Sequence, residues 1–426
     1  MDFLFLSTFT ITGVIFLYIS KLSLGVKNLN AYNVTIVFLF LFGYLPHLNL
    51  YFQIDPYRVS IGVVDKEIII LSWAVTTYVI FVFIFIFSIL RYHERLNAYK
   101  VSSSPNYQCL NLYPISLFLI FISYFYIYDY ISKVDRVALF VAFADGFYEA
   151  KVARSEMVNS FSGSIKLNFL FAKGILPYIS ILLFLDFIRK RNKVCLILFL
   201  LAFIGSCFSF LMTTEKAPVI WYLASLALSL IIFNKNQIRI SIILKPVFIL
   251  FFFIVVFDSL FMGNSGFEAV LSVLSRVTSG GITPVYFYLE HIPRDLPYLL
   301  GGSFPNPAGI FPYEPFNLTV EIARLALPHL SNESFVSTMP AIFWGELYAT
   351  FGFVGVLFVP AFAIYIGLIF FVSGKISVPI VRYATISWLI FHFRYINSTG
   401  ISEFFIDLEL YSIFILALLL TRRLRI

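Results

Sequence analysis

The sequence predicts an all-α polytopic membrane protein of about 11 transmembrane helices, with a large external loop containing amphipathic helices. Three observations carry that reading. Of 426 residues, 60% are hydrophobic and only 12% are charged, against about 25% charged in a soluble domain. Mean hydropathy is +0.91. Apolar runs of the length needed to cross the bilayer, about 20 residues, recur along the chain. Only a helix or a closed barrel satisfies its own backbone groups in lipid, and a barrel would show alternating segments of about ten residues. The runs here are continuous.

In chain order the runs lie at 3–20, 34–52, 67–90, 112–130, 169–188, 194–212, 217–234, 241–262, 343–373, 378–396 and 403–421. The first lacks a basic leader and a small-residue cleavage site, so it reads as a retained span. Leu45, Pro46 and His47 weaken the second. The ninth is long enough to be tilted or to begin outside the bilayer.

Basic residues set the orientation, because they gather in cytoplasmic connections. Arg91, Arg95 and Lys100, then Arg189, Lys190, Arg191 and Lys193, then Lys235, Arg239 and Lys245 fall on one side. Lys375, Arg382, Arg422, Arg423 and Arg425 join them. That side is cytoplasmic, which places the C-terminus inside and the N-terminus outside. The net charge of +7 follows from these anchors and calls for no nucleic acid. Cys109, Cys195 and Cys207 have no paired spacing and none falls outside, so no disulfide or metal framework is expected.

Two external segments remain, about 131–168 and 263–342, on one integral membrane domain spanning 1–426. In the larger, EAVLSVLSRV (Glu268 to Val277) and PFNLTVEIARLALPHL (Pro315 to Leu330) place apolar residues at helical spacing. Both are expected to lie on the membrane surface as amphipathic helices. The Gly- and Pro-rich stretch from Gly301 to Pro315 reads as turns. The absence of an internal repeat removes one mark of a secondary transporter.

Charges beside membrane helices are costly unless paired or wet, so each is a candidate. Thr213-Thr214-Glu215-Lys216-Ala217-Pro218 is a very short external hairpin that puts Lys216 at the start of a span. A cation at that positive helix end suits a phosphate; the plain alternative is a Glu215–Lys216 turn. Arg276 precedes Thr278-Ser279-Gly280-Gly281, where a guanidinium fork and a glycine turn can both approach an anion, or the arginine can reach lipid headgroups. Arg136, Arg154, Arg294 and Arg324 are also external. Glu156 and Lys151 can pair with Arg154, which then reads as part of a solvated face, and Arg324 on its amphipathic helix reads as facing lipid headgroups. Arg394 stands near the outer end of the tenth span. Glu346, in Gly345-Glu346-Leu347-Tyr348, can accept a proton from a hydroxyl or pair with an arginine. Glu290 and His291 are adjacent, and His329 and His392 show no metal spacing. Aromatics from Phe304 to Phe316 can stack on sugar rings.

The large outer loop running into STMPAIFWGELYATFGFVG (Ser337 to Gly355), together with the basic hairpin TEKAPVIWY, resembles the bacterial O-antigen and oligosaccharide repeat-unit polymerases, the Wzy class. The likeness covers most of the chain as architecture and a few short segments as sequence. It implies an inner-membrane enzyme that joins repeat units carried on undecaprenyl pyrophosphate at the periplasmic face. It implies neither metal nor nucleotide sugar, so no cofactor, and a chain-length regulator as a possible partner beside the lipid-linked oligosaccharides and membrane lipid. By position, Lys216 and Arg276 match basic residues that hold the pyrophosphate, and Arg394 and Arg154 are further candidates. Glu346 falls in the matching GELY segment and is the candidate catalytic carboxylate. Where relatives often carry an arginine, this chain has Asn397-Ser398-Thr399-Gly400. Alternatives are an O-antigen ligase transferring glycan to lipid A-core, which would use a histidine such as His291 or His329, and a lipid-linked glycan flippase or other transporter. A transferase using a polyprenyl-phosphate sugar would want a close acidic pair, and Asp55 and Asp65 are well separated.

Overall fold

In the computed structural model the described residues are 2–25, 30–98, 112–214, 216–233, 266–304, 306, 309–328, 337–405 and 407–421, with five isolated positions between 251 and 259. All regular structure among them is helical. Six helices are long and apolar enough to cross a membrane. They are α1 (Asp2–Leu24), α2 (Ala31–Tyr51), α3 (Lys66–Glu94), α4 (Leu112–Lys133), then, after two short helices, α5 (Ala138–Ala144) and α6 (Phe147–Ser160), α7 (Ile165–Lys190) and α8 (Lys193–Leu211). Next come α9 (Lys216–Phe233), α10 (Gly266–Ser279), α11 (Thr283–His291) and α12 (Leu318–Ala326). The chain ends with α13 (Phe343–Val356), α14 (Val359–Gly374), α15 (Pro379–His392) and α16 (Leu408–Thr421). The expected span at 241–262 lies almost wholly outside the described residues. α10 and α12 stand where the apolar spacing predicts them.

Two spans carry a proline in mid-course, and the chain accommodates both in the same way. A π turn over Leu39–Tyr44 precedes Pro46, and the Leu45 amide reaches back five residues to the Phe40 carbonyl at 2.9 Å. A second π turn, Phe169–Ile175, precedes Pro177, with the Leu176 amide on the Phe171 carbonyl. The wider turn makes room for a ring that would strike the preceding turn of an α-helix. The second span therefore runs through Leu45-Pro46-His47 rather than stopping there.

The ninth span is corrected. Instead of one tilted helix, α13 and α14 meet at 106°. Gly352 has left-handed φ of +64° inside α13, and Pro360 fits the first turn of the helix that follows. The Ala349 and Thr350 carbonyls stand just before the kink at Gly352. The amides of Leu299 and Leu300, from the segment between α11 and α12, bind them at 3.1 and 3.0 Å, meeting the requirement that irregular backbone be satisfied by protein. With this pair counted once, the candidate spans number up to seven among the described residues. Among the described residues α9 and α16 are shorter apolar helices.

The chain forms two compact units. One holds Met1–Val101, Leu271–Phe371 and His392–Ile406; the other holds Ser102–Val270, Val372–Phe391 and Asp407–Ile426. In the second unit α7 is apolar and buried on every side from Leu176 to Leu183, as a central helix must be. α4 turns Phe118, Phe121, Phe125 and Tyr128 outward, a stripe suited to lipid. At the end of α7, buried Asp186 accepts from the Tyr113 hydroxyl at 2.9 Å and the Lys190 ammonium at 3.1 Å. Lys190 and Arg189 are among the basic residues from which the cytoplasmic side is read.

Candidate functional site

In the first unit three separate segments close on one turn. Gly280 and Gly281 end α10, and a Cβ on Gly281 would lie 2.3 Å from the Asn397 carbonyl oxygen. Only glycine permits that approach. Asn397 ends a 3-10 turn, Phe393–Asn397, that continues α15. From the third segment the Ile342 amide, at the start of α13, donates to the Gly281 carbonyl at 3.3 Å. The Asn49 side chain in α2 donates to Ser279 Oγ at 3.2 Å and lies 3.5 Å from Thr278 Oγ1. Gly281→Ala must push backbone against backbone, and overpacking of this kind costs about 1–3 kcal/mol. Purified Gly281→Ala protein is expected to melt several degrees below wild type in detergent; an unchanged melting temperature would contradict the packing described.

These segments bring three of the predicted residues into one unit. Arg276 sits exposed in the last turn of α10. Arg394 is half-buried in the 3-10 turn, its guanidinium 4.1 Å from the Tyr395 ring centroid, within cation–π range. Glu346 lies in the first turn of α13 and is 7% exposed. Its Oε2 accepts a hydrogen bond from the Ile401 amide at 2.5 Å. A Cβ on Gly400 would come within 2.4 Å of that oxygen, so the small residue leaves space for the carboxylate. Glu346 thus holds the turn that follows Arg394. Burial and then the charge of Glu346 push the nearby Tyr288 phenol above its ordinary pKa, and its hydroxyl donates to the Met339 carbonyl at 3.0 Å.

The other two candidates belong to the second unit. Lys216 is the first residue of α9, at the N-terminal end that the hairpin pattern predicts. Arg154 is half-buried on α6. The nearby Glu156 accepts from Arg136 at 2.9 Å, and Glu149 lies 3.8 Å from the same arginine. The local pairing expected for Arg154 with Glu156 therefore runs to Arg136, 20 residues away. Arg324 pairs with Glu321 one turn earlier, at 2.6 Å, which fits a solvated surface helix. Arg294 lies on Asp295 at 2.9 Å, and His291 Nδ1 is 2.6 Å from the same carboxylate. Arg294 first, then His291, hold Asp295 down to about 2.

One residue of the site was read differently from sequence. Asn397 looked like the place of a missing arginine. It is 4% exposed, and neither Oδ1 nor Nδ2 has a hydrogen-bond partner. Gly43 of α2 passes close by, a Cβ there lying 3.8 Å from Oδ1. Trp344 Nε1, fully buried in α13, is likewise without a partner. Native proteins leave few buried polar groups unsatisfied, so Asn397 and Trp344 stand out among the buried residues of this unit. The sequence signal is the run of small polar residues, Asn397-Ser398-Thr399-Gly400, at the end of a predicted span. Among the described residues no three His, Cys, Asp or Glu side chains are grouped to hold a metal ion. His329 lies outside the described residues. Compared with protein-family models, curated proteins and solved structures, the chain has no match, and the reading of this site rests on its own residues.

Proposed function

We propose that this protein is a metal-independent membrane glycosyltransferase that polymerises undecaprenyl-pyrophosphate-linked oligosaccharide repeat units. The product is a surface polysaccharide, O-antigen or capsule. The reaction takes place at the periplasmic face of the bacterial inner membrane, in a chain of eleven passes with its N-terminus outside and its C-terminus cytoplasmic. The supporting observation is the convergence on Gly281: the turn after Arg276, the start of the Glu346 helix and the turn after Arg394 are bonded together. A site for a diphosphate leaving group needs cations and a proton acceptor brought together from distant parts of the chain, and this convergence supplies both.

In this reading a hydroxyl of one lipid-linked unit attacks the anomeric carbon of the glycan on another. The bond to the diphosphate oxygen breaks, and undecaprenyl pyrophosphate leaves with the electron pair. Arg276 and Arg394 oppose the charge that grows on the leaving group, and the resemblance adds Lys216 and Arg154 as candidate cations. Glu346 takes the proton of the attacking hydroxyl. Holding both lipid-linked substrates at one mouth supplies the proximity term.

A cell lacking the protein tests the class. Lipid A-core capped with a single repeat unit is the expected result. Long polymer left unattached would instead establish a ligase, and units trapped on the inner leaflet a flippase. The ligase is favoured by one specific observation: His291 of the outer loop is oriented by Asp295, as a catalytic histidine would need to be.

A further inference from the structure

Beside the Arg276 turn lies a second arginine that the proposed reaction has not yet used. Asp55 caps a one-turn helix, Pro56–Ser60, its Oδ1 accepting from the Tyr57 amide at 3.1 Å. Arg58 on that turn is 9% exposed and Asp55 7%. Their nearest approach is Arg58 Nε to Asp55 Oδ2 at 3.6 Å, and neither of these buried atoms has a hydrogen-bond partner. A buried guanidinium is usually forked onto a carboxylate or other acceptors; here Nε faces Asp55 without a hydrogen bond, and the guanidinium carbon lies 5.0 Å from the Tyr57 ring centroid.

The surroundings make this arrangement more costly. Burial weakens proton binding by Arg58, Asp55 and then Tyr57 oppose that, and the charge of Arg276 weakens it further by the smallest contribution. Asn49 stitches the two segments together: its side chain binds Ser279 just after Arg276, and its carbonyl accepts from the Ile54 amide at 3.0 Å, next to Asp55. Two cations are thus set against one carboxylate, with an unsatisfied donor on the buried one. An anion bound between them would relieve both the like-charge repulsion and the unpaired donor.

We infer that Arg58 and Arg276 together clamp the diphosphate of a polyprenyl diphosphate, Arg58 from the buried side and Arg276 from the exposed side, with Asp55 positioning Arg58. The inference deepens the polymerase reading and rests on it for the identity of the lipid carrier. Guanidinium forks match the paired oxygens of a diphosphate, and an anion carrying more than one charge is what two cations and one carboxylate leave room for.

The test is binding of fluorescent farnesyl diphosphate to the purified full-length protein in neutral detergent. Wild type is expected to bind it, and Arg58→Ala and Arg276→Ala each to weaken binding at least tenfold. Arg58→Lys, which keeps the charge and the stem but loses the fork, should weaken it at least threefold and serves if the alanine variant does not remain monodisperse. Wild-type affinity in Arg58→Lys together with wild-type affinity in a monodisperse Arg58→Ala, or in Arg58→Lys alone where Arg58→Ala is not monodisperse, would overturn the inference. So would absence of binding to wild type. Inorganic pyrophosphate should compete for the site, whereas phosphatidylglycerol at equal concentration should not; displacement by phosphatidylglycerol would make this a general headgroup site and overturn the assignment. Failure of the polymerase reading shows separately, as an unchanged glycan ladder in the deletion strain while Arg58-dependent diphosphate binding persists.

Discussion

Replacing Arg276 or Lys216 with alanine is expected to abolish long glycan in cells while the protein stays at wild-type level in the membrane. Arg276 is exposed, so removing it leaves no cavity and no orphaned partner in the core. Its loss should act on the reaction rather than on folding. In catalysis, losing one preorganised donor to a developing anion costs about 10²–10³-fold in rate. A polymer of many units compounds that loss at every addition, so the ladder on a gel should collapse to one or two repeats. Lys216 opens α9, and a cation at that positive helix end suits the diphosphate of the proposed substrate. Wild-type ladders in both variants, at normal protein level, would sink the assignment of these cations to the leaving group.

The second large effect separates two roles of Glu346. Its carboxylate oxygen accepts from the Ile401 amide, a bond that the carbonyl oxygen of glutamine can also accept. If Glu346 only holds the turn, Glu346→Gln should polymerise normally and Glu346→Ala should fail through loss of the turn. If it also takes the proton of the attacking hydroxyl, Glu346→Gln should fail as well, at normal protein level and melting temperature. The expected outcome is the second: glutamine cannot act as the base, and general-base catalysis contributes about 10²–10⁴-fold. A full-length ladder from Glu346→Gln cells would leave Glu346 a purely positioning residue. The Gly400 contact predicts a related effect, since a side chain there must displace the carboxylate from the Ile401 amide.

Much of the helical pattern was legible in the sequence, and the reasons differ by element. The first six spans follow from uninterrupted apolar length, and α10 and α12 from apolar residues at helical spacing. The break at Gly352 was hidden because hydropathy registers apolar content and not direction: Phe351, Phe353 and Val354 are as apolar on a bent segment as on a straight one. Pro46 raised a doubt that the π turn before it resolves, and the same device at Pro177 passed unnoticed. Pairings between distant residues were the least accessible. Glu156 lies two residues from Arg154, yet the three-dimensional path brings it to Arg136. The buried amide of Asn397 and the loosely held Arg58 are properties of packing, so residue type and spacing alone gave no sign of them.

The discontinuity of the first unit has a consequence for how the protein is made. Its polar site draws on Asn49 and Arg58 near the start of the chain, on Arg276 and Glu346 in the middle and on Asn397 and Ile401 near the end. Synthesis proceeds N-terminus first, at about 5–20 residues per second. The early helices must therefore wait in the bilayer for tens of seconds before Ile401 emerges to meet Glu346. A ribosome that stops anywhere before that residue releases a membrane-embedded chain whose cations have no assembled site. Under the proposed reaction, incomplete products lack the assembled site and are expected to leave the lipid-linked precursor untouched.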